Sequence, residues 1–251
     1  MQSLIIAFSM YSRIPMPRAD WDEKNMGYAF CWFPLVGLVI GLIQAGVWYA
    51  LTALGAGVLL KGCVLAAAPL LVTGGIHLDG FMDTADARNS FGDREKKLDI
   101  LKDPHIGAFA AIHCAVYMVL TVGLWSQADE GTVRLMIFAF ALERALSGLA
   151  AVTMKNARGS GTLASFSEAA EKRIVTVILD VEAVLCVLIM LYIRPAGGGA
   201  VMAGAMAAFL MYRSMAMREF GGITGDLAGW FLQVCELLML AAVTAVSLVL
   251  L

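Results

Sequence analysis

Charge is scarce in this chain. Asp, Glu, Lys and Arg make up 15% of its 251 residues against 60% hydrophobic ones, and the mean hydropathy is +0.79. Soluble domains carry about 25% charged residues, so an ordinary water-soluble globule is excluded. Nor is there an excess of one sign: 18 basic against 20 acidic side chains leave a net charge of -2, and no nucleic-acid partner is expected. Cysteine is sparse and scattered. Cys31, Cys63, Cys114, Cys186 and Cys235 stand alone in apolar sequence without a CxxC pair, and only Cys114 adjoins a histidine, His113. That spacing excludes a disulfide framework and a zinc site, and the five are expected as small buried hydrophobes. No basic residue precedes Arg13, and the run Leu4 to Met10 lacks a small-residue cleavage site, so no cleaved signal peptide is expected. Internal repeats and low-complexity tails are missing as well.

Long apolar runs are plentiful. They cover Tyr28 to Leu54, Val58 to Ile76, Ile106 to Trp125, Val133 to Met154, Ile174 to Ile193, Ala200 to Met217 and Ala228 to Leu251. A bilayer crossing takes about 20 such residues, and backbone groups in hydrocarbon must be paired within their own segment. The expectation is an all-α, polytopic membrane helix bundle of about seven transmembrane helices, forming one domain over residues 1–251. Met1 to Pro17 is too short and too broken by Pro15 and Pro17 to cross, so a short interfacial or re-entrant helix is expected there. Gly37 and Gly41 form a GxxxG step for close helix packing, while Gly197 to Gly199 are expected to mark an outer turn.

The basic residues test this topology, because cytoplasmic loops carry the Lys and Arg excess. Alternate loops separate cleanly. One side holds only Lys61, Arg134 and Arg194, Arg144 lies inside a crossing beside Glu143, and the other fourteen fall on the opposite side. The N-terminus is therefore expected inside and the C-terminus outside. The intramembrane Glu143 and Arg144 read either as a mutually neutralising pair or as part of a substrate cavity. Glu236 reads as lining a site or pairing with another helix, and His113 as a packed, hydrogen-bonded side chain.

Three motifs fall on the basic side. The stretch GGIHLDGFMDTADAR, Gly74 to Arg88, places Asp79, Asp83 and Asp86 at offsets of zero, four and seven. On a helix these fall within about 60° of one another, and three like charges on one stripe repel unless a hard divalent cation sits among them. Mg2+ held by carboxylates and substrate phosphate oxygens is the usual solution. The second motif, LKDPHIG, offers Lys102, Asp103 and His105 where the chain re-enters the membrane. In the third, GGITGD, Gly221, Gly222 and Gly225 let backbone approach a ligand, Thr224 adds a hydroxyl, and Asp226 can reach a metal or cap the last helix. Together they point to phosphoryl transfer at the cytoplasmic surface.

With SRIPMP (Ser12 to Pro17) and FPLVGLVIG (Phe33 to Gly41), these motifs span nearly the whole chain and make it resemble the cobalamin synthase family, the adenosylcobinamide-GDP ribazoletransferases. The resemblance implies a multi-pass enzyme of the bacterial or archaeal cytoplasmic (inner) membrane, in contact with lipid and compatible with an oligomer. It would join adenosylcobinamide-GDP to alpha-ribazole, or its 5'-phosphate, with Mg2+ and release of GMP. By that likeness Asp79, Asp83, Asp86 and Asp226 would hold Mg2+, Lys102 would steady phosphate charge, and Arg88, Asp103, His105, Gly221, Gly222, Thr224 and Gly225 would contact substrate. His77 or one of the carboxylates, Asp83 among them, would take the proton from the attacking ribose hydroxyl. Many relatives have an acidic residue where this chain has Gln233, so only Asp226 is given a role in the last helix. CDP-alcohol phosphotransferases and prenyltransferases also use aspartate-rich Mg2+ sites, but their expected spacings differ from the DGxxDTxD found here. A secondary transporter would place its acidic residues near the bilayer midplane within repeated halves.

Overall fold

A computed structural model describes residues 1–249, so the expected last crossing is seen to Val249 and its end, Leu250 and Leu251, lies outside the described residues. Twelve α-helices are present among them: α1 (Gln2–Tyr11), α2 (Glu23–Met26), α3 (Phe33–Ala53), α4 (Val58–Thr73), α5 (Ile76–Asn89), α6 (Arg94–Ile100), α7 (Ala108–Ser126), α8 (Glu130–Thr153), α9 (Thr162–Ala169), α10 (Lys172–Ile193), α11 (Pro195–Met215) and α12 (Gly225–Val249). Six segments are long and apolar enough to span a membrane, and α4 and α5, bent by 97° at the Gly74–Gly75 break, pass that test only when taken together. The all-helical, multi-pass architecture is as expected. The ten-residue α1 is too short to cross.

Small residues set the packing. A Cβ on Gly37 would lie 2.1 Å from the Phe140 carbonyl oxygen, and one on Gly41 2.6 Å from Ile137 Cα, so this GxxxG step seats α3 against α8. Gly204 does the same for α11 on α12, where an added Cβ would meet the Leu238 carbonyl at 2.8 Å. Pro69 inside α4 has no N–H for the Leu65 carbonyl, and Gln44 of α3 supplies the missing donor at 2.6 Å. Outward faces are apolar, with Val177, Val181, Val184 and Leu188 on α10 and Ile112 and Val119 on α7 exposed, as a lipid-facing surface requires.

Four expectations are corrected. Gly197 to Gly199 lie inside α11, not in a turn: Arg194 alone links α10 to α11, Pro195 starts the helix, and a Cβ on Gly198 would lie 2.6 Å from the Met190 carbonyl, so glycine there permits the close approach. The second crossing stops at Thr73, because Gly74 and Gly75 both adopt left-handed conformations that turn the chain into α5. His113 is on the exposed face of α7 rather than packed, its Nδ1 2.8 Å from the Phe109 carbonyl. Cys63 is exposed and Cys114 half-buried, while Cys31, Cys186 and Cys235 are buried as expected.

Glu143 and Arg144 are fully buried and form an ion pair, with Glu236 of α12 3.9 Å from the same guanidinium. They join α8 to α12, so Glu236 pairs with another helix. The two ends of the bundle are stitched separately. At one, Tyr49 bonds Glu130, and Arg194 bonds Asp129 and Ser247. At the other, Asn156 bridges Ile223, Lys97 bonds Glu219, and the Glu171 N–H donates to Gly27. The fourteen basic residues belong to this second end.

Candidate functional site

At the basic end α5 lies across the bundle, and two glycines let α12 come against it. A Cβ on Gly80 would meet the Asp226 carbonyl oxygen at 2.7 Å, and one on Gly229 the His77 carbonyl at 2.9 Å. This crossing brings Asp226 to the aspartate stripe of α5. The charges of Asp79, Asp226 and Asp86, added to partial burial as the largest cause, push the Asp83 carboxyl up to about 7.

Each carboxylate also has its own surroundings. Asp79 is exposed. Asp86 accepts from the Gly107 N–H at 2.7 Å and the Ala110 N–H at 2.9 Å, and so caps α7 from another element. Asp226 lies 3.7 Å from the Arg158 guanidinium. The cap of α12 is Thr224, whose hydroxyl accepts from the Leu227 N–H at 3.2 Å, which leaves Asp226 free of that duty. Among the described residues no three His, Cys, Asp or Glu side chains close around one point tightly enough to hold an ion by themselves.

The remaining candidates are less concentrated. Gly221 and Gly222 serve the chain's own packing: an added Cβ would meet the Arg94 guanidinium at 2.5 Å and the Lys155 carbonyl at 2.4 Å respectively. Gly225 is exposed, with no heavy atom within 4 Å of an added Cβ. Arg88 bonds Glu219 at 3.2 Å and lies over Trp230. Lys102, exposed, is 3.7 Å from Asp99, and Asp103 accepts from the His105 backbone N–H at 3.0 Å and lies 2.6 Å from its imidazole Nδ1, contacts that hold the Asp103 carboxyl below its usual range. Their loop reaches the aspartates only through Gly107 and Ala110.

Two cavities share a wall made of Met10, Ile76 and Asp79. The open one, about 560 Å³, runs beneath the end of α1 and includes Arg13 and the Gly74–Gly75 turn. The enclosed one, about 200 Å³, is lined by Tyr11, Phe30, Phe33, His77 and Asp226 among others. His77 is 5% exposed, and burial with the nearby Arg144 charge holds its imidazole well below the usual histidine range, so it is neutral. Arg13 was visible in SRIPMP but carried no assigned role. Its side chain crosses Gly74, where a Cβ would lie 2.2 Å from the guanidinium Nε, and it forms no ion pair among the described residues. The cue in sequence is a lone basic residue before two prolines, with a diglycine much later in the chain.

Fold and site together define a helical membrane protein with a carboxylate-rich, two-chambered site at one end. A profile of the cobalamin-5-phosphate synthase family matches residues 3–244, and the chain belongs to that family. It is 43% identical over 242 residues to an adenosylcobinamide-GDP ribazoletransferase of Lachnoclostridium phytofermentans, covering 95% of this chain and 91% of that one. A protein of the same name from Pseudomonas putida is 34% identical over 246 residues, covering 94% and 96%. One from Desulfitobacterium hafniense is 32% identical over 247 residues, covering 96% and 95%. No solved structure matches the chain.

Proposed function

We propose that this chain joins adenosylcobinamide-GDP to alpha-ribazole, or its 5'-phosphate, and releases GMP, in a late step of cobalamin biosynthesis. Family membership and relatives of that name support the reaction. The observation that carries the site is the close crossing of α5 and α12 at Gly80 and Gly229, which brings Asp226 to the aspartate stripe and lets Asp79 and Asp226 line one cavity.

In this reaction a ribose hydroxyl oxygen bonds to phosphorus, the phosphorus–oxygen bond to GMP breaks, and the hydroxyl proton passes to the protein. The enzyme has to align the hydroxyl with phosphorus and neutralise the leaving group. The donor set fits a hard cation, being all carboxylate oxygen and crowded enough to drive Asp83 toward its neutral form. Mg2+ binds through one or two carboxylates and phosphate oxygens, so three converging side chains are not required. Asp83 and one of Asp79 and Asp226 would hold it, with the other and Asp86 beside them, and the ion when bound would offset diphosphate charge. Arg13 places a guanidinium in the open cavity for the diphosphate. Lys102, Asp103, His105 and Arg88 are exposed and can meet a large donor. His77, Asp79 and Asp226 all line the enclosed cavity, and each is a candidate to take the hydroxyl proton.

The basic end and the N-terminus face the cytoplasm of a bacterial or archaeal membrane, by the distribution of Lys and Arg. The test is GMP release by the purified chain in liposomes. Release that requires adenosylcobinamide-GDP, alpha-ribazole and Mg2+ together is expected; release without alpha-ribazole would indicate hydrolysis instead.

A further inference from the structure

The enclosed cavity has a composition of its own. Tyr11, Phe30 and Phe33 give it aromatic walls, His77 gives it a buried polar edge, and Asp79 and Asp226 complete it toward the acidic stripe. The imidazole lies within 25° of parallel to Tyr11 at a centroid distance of 6.2 Å, and 6.2 Å from Phe33 at 55°. His77 Nε2 is buried without a hydrogen-bond partner among the described residues. Buried polar atoms are nearly always paired, and one left unpaired in a cavity wall marks a position where a ligand atom belongs.

We propose that this slot receives the planar base of the acceptor nucleoside, with His77 Nε2–H donating to the one free ring nitrogen of the base. The inference rests on the transfer reaction set out above. Size selects the acceptor over the donor: at about 200 Å³ the slot is smaller than the roughly 300 Å³ at which pockets for drug-sized ligands begin. A corrinoid or a nucleoside diphosphate does not fit. Edge chemistry selects the base of alpha-ribazole over guanine. A benzimidazole joined to ribose through one nitrogen keeps a single acceptor, which matches a single donor, whereas guanine would bury several donors and acceptors against aromatic walls. Asp79 belongs to both cavities, so a base in the slot leads its ribose to the wall shared with the open cleft. The proton of the hydroxyl then passes to Asp79 or Asp226, and His77 serves recognition.

The test uses the full chain in liposomes, with equilibrium binding of radiolabelled alpha-ribazole in the absence of donor, and initial rates with each substrate varied in turn. In His77→Leu, alpha-ribazole binding weakens about tenfold and its KM rises to match, the loss of one hydrogen bond, while kcat and the donor KM stay within about threefold. His77→Gln recovers much of the loss. Leu163→Trp, which fills the slot from α9 and leaves the buried histidine untouched, weakens alpha-ribazole binding as well. Unchanged alpha-ribazole binding in Leu163→Trp and in a folded His77→Leu overturns the slot, as does a rise in donor KM, or a fall in kcat with the alpha-ribazole KM unmoved. Wild type that binds alpha-ribazole through His77 but releases no GMP overturns the transfer reaction and leaves the slot standing. Wild type that neither binds it nor releases GMP overturns both.

Discussion

Asp83 is the residue on which the site's electrostatics turn. Its carboxyl is pushed up to about 7 by burial and by the charges of Asp79, Asp226 and Asp86. A raised carboxyl means that the folded protein holds the proton more tightly than the unfolded chain does. Without Mg2+, stability is therefore lost as pH rises through about 7, and Mg2+ should restore it. The converse holds for binding: below about 7 the proton has to leave before the cation enters. The half-saturating Mg2+ concentration for GMP release should rise up to about tenfold per pH unit below 7 and level off above it. A half-saturation that is flat between pH 5.5 and 8 would remove Asp83 from the metal. Arg13 makes the complementary case. With its guanidinium in the open cavity and no carboxylate partner among the described residues, Arg13→Ala should raise the KM for adenosylcobinamide-GDP about tenfold and leave the alpha-ribazole KM alone, and Arg13→Lys should recover part of the loss.

At the scale of elements, the site depends on how closely α5 and α12 approach. Gly80→Ala would set a methyl 2.7 Å from the Asp226 carbonyl, and the two helices would have to part. The expected cost is about 1–3 kcal/mol by thermal unfolding, with a higher Mg2+ requirement because Asp226 moves from the stripe. Gly46→Ala, which meets nothing within 4 Å, is the control. The sequence shows the aspartate stripe itself, because offsets of zero, four and seven need only the helical period. It also shows that Gly37 and Gly41 pack, since a GxxxG step is local. What partner Gly80 meets is a tertiary fact, and so is the capping of α7 by Asp86, twenty-one residues upstream of Gly107. The same limit applies to Gly197 to Gly199. Three glycines in a row read as a turn, yet here they lie in a helix, where Gly198 permits close approach to Met190 of α10 and Gly197 to Leu135 of α8. From sequence Asp226 could reach a metal or cap the last helix, and the bond from the Leu227 N–H to the Thr224 hydroxyl gives the cap to Thr224 instead.

Across the whole molecule, hydropathy and the basic asymmetry were enough to give the crossings and the end on which the motifs gather. The two cavities were not legible, because their walls combine α1, α4, α5 and α12 with aromatic residues whose local sequence reads as ordinary core. The orientation has a direct consequence. In a background without native cysteines, Ser160→Cys should be labelled by an impermeant probe only from the cytoplasmic side, and Ala56→Cys only from the outer side; the opposite pattern would invert the bundle. Charge separation between the two ends and a carboxylate-rich site at the basic one support the proposed Mg2+-assisted transfer of a phosphoryl-linked group at that surface. Its most direct measurement is GMP release in liposomes supplied with adenosylcobinamide-GDP, alpha-ribazole and Mg2+, for wild type beside Asp83→Asn. The account predicts Mg2+-dependent release in wild type and a loss of about 10²-fold or more in the variant, the scale of losing an electrostatic stabiliser of the transition state. Full activity in Asp83→Asn would contradict it.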